Sequence, residues 1–248
     1  METARILHPG LKIVGVRDAR FSNAIDCPQG KDRRIQLQGK TRSRECGLVE
    51  CDVSLSSGTN SAFGAKADWS GIDSQAIVRM GALPGIKPVM DWISIHQEEL
   101  DSRSMDHQEA LRWYEDRTDL QGRYRVMDSL DGAGPGTIKG RTLYRVSTDF
   151  THPNPAAYQY SPYLLEALLQ TVCFYIGMRD ENEKRSMIPL GFEYMSFERT
   201  CADGEEIVLE ARMREQDEAG IVWDAQALDR NRKVIMVLKG LRMAWFAG

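Results

Sequence analysis

Apolar and polar residues alternate along most of the chain, a pattern typical of strands, whereas one long segment has the pattern of a buried helix. Every second residue from Val49 to Leu55 is apolar, which places these side chains on one face of a strand. The patterns predict strands over residues 11–21, 34–41, 48–55, 62–69, 122–128, 137–146, 187–197, 206–213, 221–228 and 233–245.

The segment over residues 161–178, SPYLLEALLQTVCFYIGM, is predicted to be that helix. Ser161 is suited to cap it and Pro162 to occupy its first turn. Its apolar residues surround too much of the helix for one face to be solvated, so other elements must cover it. The four strands that follow in sequence are the predicted cover.

Residues 73–118 differ from the segments on either side in their pattern of apolar and polar residues. They are interpreted as a connector that carries one or two helices. The stretch HQEELDSRSMDHQEALRWYEDR is polar and helix-prone, with Leu111, Trp113 and Tyr114 as its expected inward residues. The glycine-rich DGAGPG at 131–136 predicts a turn. At the start of the sequence, ETARILH predicts a short helix that Pro9 and Gly10 end.

The two ends of the chain repeat one order of elements. VGVRDARFSNAI parallels LGFEYMSFERTC, RRIQLQGKT parallels EEIVLEARM, and GLVECDVSL parallels GIVWDAQAL. A helix followed by four antiparallel strands, occurring twice, indicates two copies of one small domain in which a curved sheet holds an apolar helix. That is the hot-dog arrangement; two unrelated α+β domains are the alternative.

The predicted fold class is therefore α+β, a double hot-dog with two antiparallel sheets that each wrap a central helix. We expect a first unit over residues 1–72 that is incomplete at its N-terminus, a connector with helices over 73–120 and a second unit over 121–248.

Composition excludes several classes of partner. The net charge is -4, and the Lys and Arg residues are scattered among acidic ones, so we expect neither nucleic acid nor an anionic membrane as partner. No apolar run reaches the roughly 20 residues of a membrane span, and METARILHPG lacks the core of a signal peptide. The five cysteines form no CxxC pair, which indicates free thiols in a reducing cytoplasm and no metal site.

The run SPYLLEALLQ at 161–170 resembles the HPxLLDxxxQ pattern at the head of the second central helix of synthase dehydratase domains. Pro162, Leu164, Leu165 and Gln170 match that pattern, and Glu166 stands in place of its aspartate. ALDRNRKVIMVLKGLRM is similar to the closing strands of these domains. The chain thus resembles the double-hot-dog dehydratase domains of polyketide and polyunsaturated fatty acid synthases.

The resemblance implies removal of water from a β-hydroxyacyl chain carried on the phosphopantetheine of an acyl carrier protein. In that family a histidine takes the α proton, and an acid on the second central helix protonates the departing hydroxyl. Glu166 corresponds to the acid and Gln170 to its helper amide. The implied partners are the carrier protein and neighbouring synthase domains, with a homodimer left open and no metal or organic cofactor required.

Four tyrosines are candidate substrate contacts: Tyr158, Tyr160 and Tyr163 before and in the helix, and Tyr124. Tyr124 is what LQGRYR at 120–125 retains of the YGPxFQ motif of the family. Aromatic residues that precede a helix also serve as hydrophobic cover, and both interpretations are kept.

The sequence lacks the HxxxGxxxxP pattern that carries the basic histidine of the family, and Ser161 replaces the histidine that opens the helix motif. Either the first catalytic half precedes this sequence or the domain has lost it, so whether the domain is an enzyme is left open. His152, in THPNP, is a candidate substitute base. The alternatives to a dehydratase are a non-catalytic scaffold or acyl-binding domain, and a product-shaping cyclase or thioesterase of the hot-dog class.

Overall fold

The computed structural model describes residues 1–22, 34–58, 73–81, 95–101, 104–118, 120, 124–145, 162–179 and 186–246. Ten strands and three α-helices lie in these ranges. In chain order they are α1 Glu2–Leu7, β1 Lys12–Phe21, β2 Arg34–Glu45, β3 Leu48–Gly58, β4 Ser74–Gly81, α2 His107–Arg117, β5 Ser129–Gly134, β6 Thr137–Leu143, α3 Pro162–Arg179, β7 Ser186–Phe197, β8 Glu206–Gln216, β9 Gly220–Asp229 and β10 Val234–Phe246.

The chain divides into two compact units. The first contains Met1–Ile86 and Leu190–Met195, and the second contains Lys87–Pro189 and Ser196–Gly248. This division differs from the expected boundaries at residues 72 and 120, because β4 and the middle of β7 belong to the first unit.

The first unit is an antiparallel sheet in the order β2-β3-β4-β1, with α1 against β2 and β3. Gly39 lets α1 approach β2, because a Cβ at this position would lie 2.8 Å from the Thr3 side chain. β4 falls in the segment that the sequence assigned to a connector. Its short apolar run is stabilised as a strand because β1 and β3 pair with it on both sides. The strand expected over 62–69 lies outside the described residues.

The second unit is an antiparallel sheet in the order β10-β9-β8-β6-β5, against which α3 packs through β5, β6, β8 and β9. Leu164, Leu168 and Phe174 of this helix are at most 5% exposed, and the ring of Tyr175 meets Trp223 of β9 edge to face at 4.9 Å. The predicted covered helix is thus confirmed, as is an α+β class with antiparallel strands. Of the four later strands expected to cover the helix, β8 and β9 pack against it, and β5 and β6, which precede it, do so as well.

The strand expected over 122–128 is wrong in position, since residues 125–128 are irregular and β5 begins at Ser129. The glycine-rich run, expected as a turn, contributes Gly132 and Gly134 to that strand. A side chain at Gly134 would collide with the carbonyl oxygen of Glu99, which lies across the strand. Glycine therefore serves close packing here.

None of the helices within the described ranges combines the length and the apolar character that a membrane crossing requires.

Candidate active site

Glu166 and Gln170 lie one helical turn apart in α3. Glu166 is half-buried and Gln170 is 4% exposed. The Nε2 of Gln170 donates a hydrogen bond of 2.5 Å to Oε1 of Glu166. Because residues four apart lie on the same side of a helix, the sequence predicted that these two side chains would share a surface, and the structure places them in direct contact.

All four hydrogen-bonding positions of the Gln170 amide are occupied. Nε2 donates to Glu166 and, at 2.7 Å, to the carbonyl oxygen of Tyr124. Oε1 accepts from the backbone N–H of Val126 at 3.2 Å and from the hydroxyl of Tyr114. A primary amide has two donor hydrogens and an oxygen with two lone pairs, so its capacity is filled and its orientation is defined.

Backbone groups of the irregular segment 124–127 form hydrogen bonds with side chains. In a strand, such groups would pair with the backbone of a neighbouring strand. Tyr114 accepts a hydrogen bond from Met127 N–H at 3.0 Å, and the carbonyl oxygen of Val126 accepts from Thr142 and Tyr163. These bonds satisfy buried backbone groups that a strand would otherwise pair. They are the reason that the segment is not the strand its sequence suggests.

The carboxyl of Glu166 has a raised pKa because burial disfavours its charged form, and the hydrogen bond from Gln170 partly offsets this effect. Within the described residues it forms no salt bridge that would restore the charge. Burial also raises the pKa of Tyr114, so its hydroxyl keeps its proton. The arrangement favours a carboxylic acid that holds its proton nearer to neutral pH than an exposed glutamate does.

The tyrosines expected to contact substrate have different surroundings. Tyr163 is buried, and its hydroxyl bonds to Thr142 at 2.8 Å and to the carbonyl oxygen of Leu143 at 3.0 Å, which links α3 to β6. The side chain of Tyr124 is exposed, and its backbone carbonyl is the group that joins the site. Tyr158 and Tyr160 lie outside the described residues.

Three of the four histidines lie in the described ranges, and each has a partner of its own. His8 Nε2 is 2.9 Å from Thr41 Oγ1, and exposed His96 caps the short 3₁₀ helix Gln97–Glu99. His107 Nδ1 is 3.5 Å from a carboxylate oxygen of Asp128. None of these three hydrogen-bonds to Glu166, and His152 lies outside the described residues.

Sequence reasoning missed the part that Tyr114 plays in this site. Tyr114 was predicted to be an inward residue of the connector helix, which is correct, since it is fully buried in α2. Its spacing along the chain carries no signal of a bond to Gln170, because the two residues meet only through the packing of α2 on α3. In the described part of the chain, no three or more His, Cys, Asp or Glu residues are grouped as metal ligands would be.

Solved structures of polyketide synthase dehydratase domains share this fold. The domain of the CurF module of the curacin synthase is 17% identical, with a TM-score of 0.66 and coverage of 95% of this chain and 76% of that chain. The CurK domain of the same synthase is 16% identical, with a TM-score of 0.68 and coverage of 99% and 81%. The dehydratase domain of RzxB from Pseudomonas fluorescens is 13% identical, with a TM-score of 0.64 and coverage of 93% and 75%.

The CurK dehydratase is also known as two inactive mutants, one with a histidine changed to phenylalanine and one with an aspartate changed to asparagine. No curated protein matches the sequence. A family model described as the polyketide synthase dehydratase N-terminal domain matches residues 96–247, more than half of the chain. The chain therefore belongs to the polyketide synthase dehydratase family.

Proposed function

We propose that this domain removes water from β-hydroxyacyl thioesters carried on the phosphopantetheine of an acyl carrier protein, with Glu166 as the general acid. The observation that carries the proposal is the Glu166 carboxyl itself. It is half-buried, has a raised pKa and is held by Gln170 in a chain of the dehydratase family.

In the proposed reaction a base removes the proton on the α carbon, and the electron pair forms the α,β double bond. The bond between the β carbon and its oxygen breaks, and Glu166 gives its proton to that oxygen, so that water leaves. Glu166 must therefore be protonated when the substrate binds, which its burial supports. Its carboxylate then regains a proton before the next turnover.

We propose that the base is a histidine other than the three in the described residues. The contacts of His8 support this assignment, because both of its ring nitrogens already have partners. Its Nε2 bonds to Thr41, and its Nδ1 lies 3.5 Å from Arg44. The inactive histidine mutant of CurK is a further support from a relative. His152 and a histidine upstream of this sequence in the parent synthase are the two candidates. If neither serves, the domain is a non-catalytic acyl-binding module, which is the second proposal.

We propose a double hot-dog in which the first unit also holds a central helix. On one face of β2, Thr41 bonds to His8 and Gly39 lies against Leu7. On the same face, the side chains of Leu37 and Ile35 are more than half exposed. Exposed apolar side chains in line with α1 support a longer helix on this face. The carrier protein and adjacent synthase domains are the proposed partners, a homodimer is left open, and the proposed compartment is the cytoplasm.

The test uses the chain with a phosphopantetheinylated carrier protein loaded with a β-hydroxyacyl chain, and mass spectrometry follows the loss of one water. We expect loss of water with this chain if His152 is the base, or with the parent synthase if the base lies outside this sequence. In the active protein a Glu166→Gln variant should be at least 100-fold slower. Exposed Glu215, also in the second unit, gives the matched control Glu215→Gln, which should keep full activity.

Release of free acid in place of water would indicate a thioesterase. Binding of the loaded carrier without loss of water, both for this chain and for the parent synthase with its upstream residues, would favour the non-catalytic module. Turnover that Glu166→Gln leaves unchanged would remove Glu166 from the mechanism.

A further inference from the structure

Tyr114 is a fully buried polar side chain for which the proposed mechanism has no role. It lies on α2, outside the helix that carries Glu166 and Gln170. Its ring is packed edge to face against Phe174 of α3, with centroids 5.2 Å apart. The packing brings the hydroxyl, and not only the ring, to the end of the Gln170 side chain.

The hydroxyl of Tyr114 forms two hydrogen bonds of opposite sense. It donates its proton to Oε1 of Gln170 and accepts the backbone N–H of Met127 at 3.0 Å. The preceding backbone N–H, that of Val126, donates to the same Oε1 at 3.2 Å. The oxygen of the amide therefore faces two donors, one from α2 and one from the irregular segment.

The nitrogen of the amide faces two acceptors, the carboxylate of Glu166 and the carbonyl oxygen of Tyr124. Turning the amide over would place its NH₂ group against the Val126 N–H, which can only donate, and its oxygen against the carbonyl oxygen of Tyr124, which can only accept. Each end would then lose a bond in a buried site, at a high energetic cost. In the observed orientation Tyr114 donates its proton to the amide oxygen, and Glu166 receives an N–H.

That N–H determines where the acidic proton of Glu166 resides. Oε1 of Glu166 accepts the hydrogen from Gln170, so a second hydrogen on Oε1 would lie against it. The proton of the acid form is therefore carried by Oε2. This oxygen is the one that must face a departing hydroxyl.

We propose that Tyr114 is a positioning residue for this acid, which acts through Gln170 to hold the Glu166 proton on Oε2 and to tune its release. The inference rests on the proposed function. The Tyr114 hydroxyl draws electron density from the oxygen of the Gln170 amide. Because hydrogen bonds in a chain polarise one another, this strengthens the hydrogen bond from the amide N–H to the Glu166 carboxylate. Removing the hydroxyl weakens the stabilisation of the carboxylate, so the Glu166 pKa rises further.

The test is Tyr114→Phe, which keeps the ring and its contact with Phe174. Two quantities are measured: the titration of the Glu166 carboxyl by carbon-13 NMR, assigned by the signal that Glu166→Gln removes, and the pH profile of kcat. We expect the titration and the alkaline fall of kcat to move to higher pH together, with kcat lower by about tenfold and KM little changed.

Tyr175→Phe is the matched control. Tyr175 is also buried, and its hydroxyl accepts a backbone N–H, that of Gly136, at 3.1 Å, but it makes no bond to Gln170. A merely structural role for a buried tyrosine hydroxyl would lower stability in both variants and leave the Glu166 titration where it is in both.

The outcomes separate the two proposals. If the domain has no dehydratase activity but Tyr114→Phe moves the Glu166 titration, the proposed function fails and the positioning role stands. If the domain is active and the titration and pH profile match in Tyr114→Phe and the unaltered protein, the positioning role fails. Should the variant not fold, 3-fluorotyrosine incorporation supplies a stronger hydroxyl donor, and the titration must then move to lower pH or the inference is wrong.

Discussion

The amide nitrogen of Gln170 lies 2.5 Å from a carboxylate oxygen of Glu166, one turn earlier in the same helix. The remaining bonds of that amide reach α2 and the segment before β5. Gln170 therefore joins α2 and the segment before β5 to one carboxyl. Changes at Gln170 should consequently affect both the fold and the chemistry.

Gln170→Met should destabilise the domain by about 3 kcal/mol, because a side chain of similar length leaves the proton of the Tyr114 hydroxyl and the Val126 N–H buried without acceptors. The measurement is the free energy of unfolding from urea titration. Exposed Gln216 provides the control, Gln216→Met, which should change stability by less than about 0.5 kcal/mol. Equal effects of the two substitutions would show that the four amide bonds add nothing to stability.

Stability should depend on pH through Glu166. Its pKa in the folded protein is raised above the ordinary value of about 4.3. The stabilising contribution of its protonated form is thus complete below that ordinary value and is lost as pH rises through the folded pKa. Glu166→Gln stays neutral, so its stability relative to the unaltered protein should rise from pH 4 to pH 8 in urea unfolding. A relative stability that is the same at both pH values would argue that burial does not penalise this carboxylate.

Gly177→Ala should destabilise the domain, although alanine is more favourable than glycine in a helix by about 1 kcal/mol. An added Cβ would collide with the indole nitrogen of Trp113, whose ring stacks on Phe174 at 3.8 Å. We expect a net loss of about 1–3 kcal/mol from overpacking, measured by thermal and urea unfolding.

The same change in a Trp113→Leu background is the control for Gly177→Ala. There the collision is absent, and alanine should stabilise the helix or leave it unchanged. An identical loss in both backgrounds would locate the cost elsewhere than at the indole.

Arg232→Met should destabilise the domain by about 3 kcal/mol, because it leaves a buried carboxylate with weaker partners. Glu210 is 2% exposed, and among the described residues its nearest cation is Arg232 at 2.9 Å, whereas Lys139 is 3.8 Å away. Adding Glu210→Gln to Arg232→Met removes the buried charge and should recover much of the loss in urea unfolding. If the double variant is as unstable as the single one, the charge of Glu210 is not the cause.

Much of the fold could be predicted from local patterns. α3 was predicted because apolar residues surround it, and β1–β3 and β7–β10 were predicted from alternation and the turns between them. Both signals act over a few residues, so they survive without knowledge of the partner elements. β4 was missed because a short run of apolar residues becomes a strand only when neighbours pair with it on both sides.

The positions of Glu166 and Gln170 on one side of an apolar helix follow from the sequence alone, since four residues make about one turn. The direction in which the Gln170 amide points could not be predicted in this way, because it depends on bonds to Tyr114 and Val126, which belong to other parts of the fold. Helical spacing is set by backbone geometry within a few residues. Hydrogen bonds between distant segments exist only once α2 and α3 have packed together.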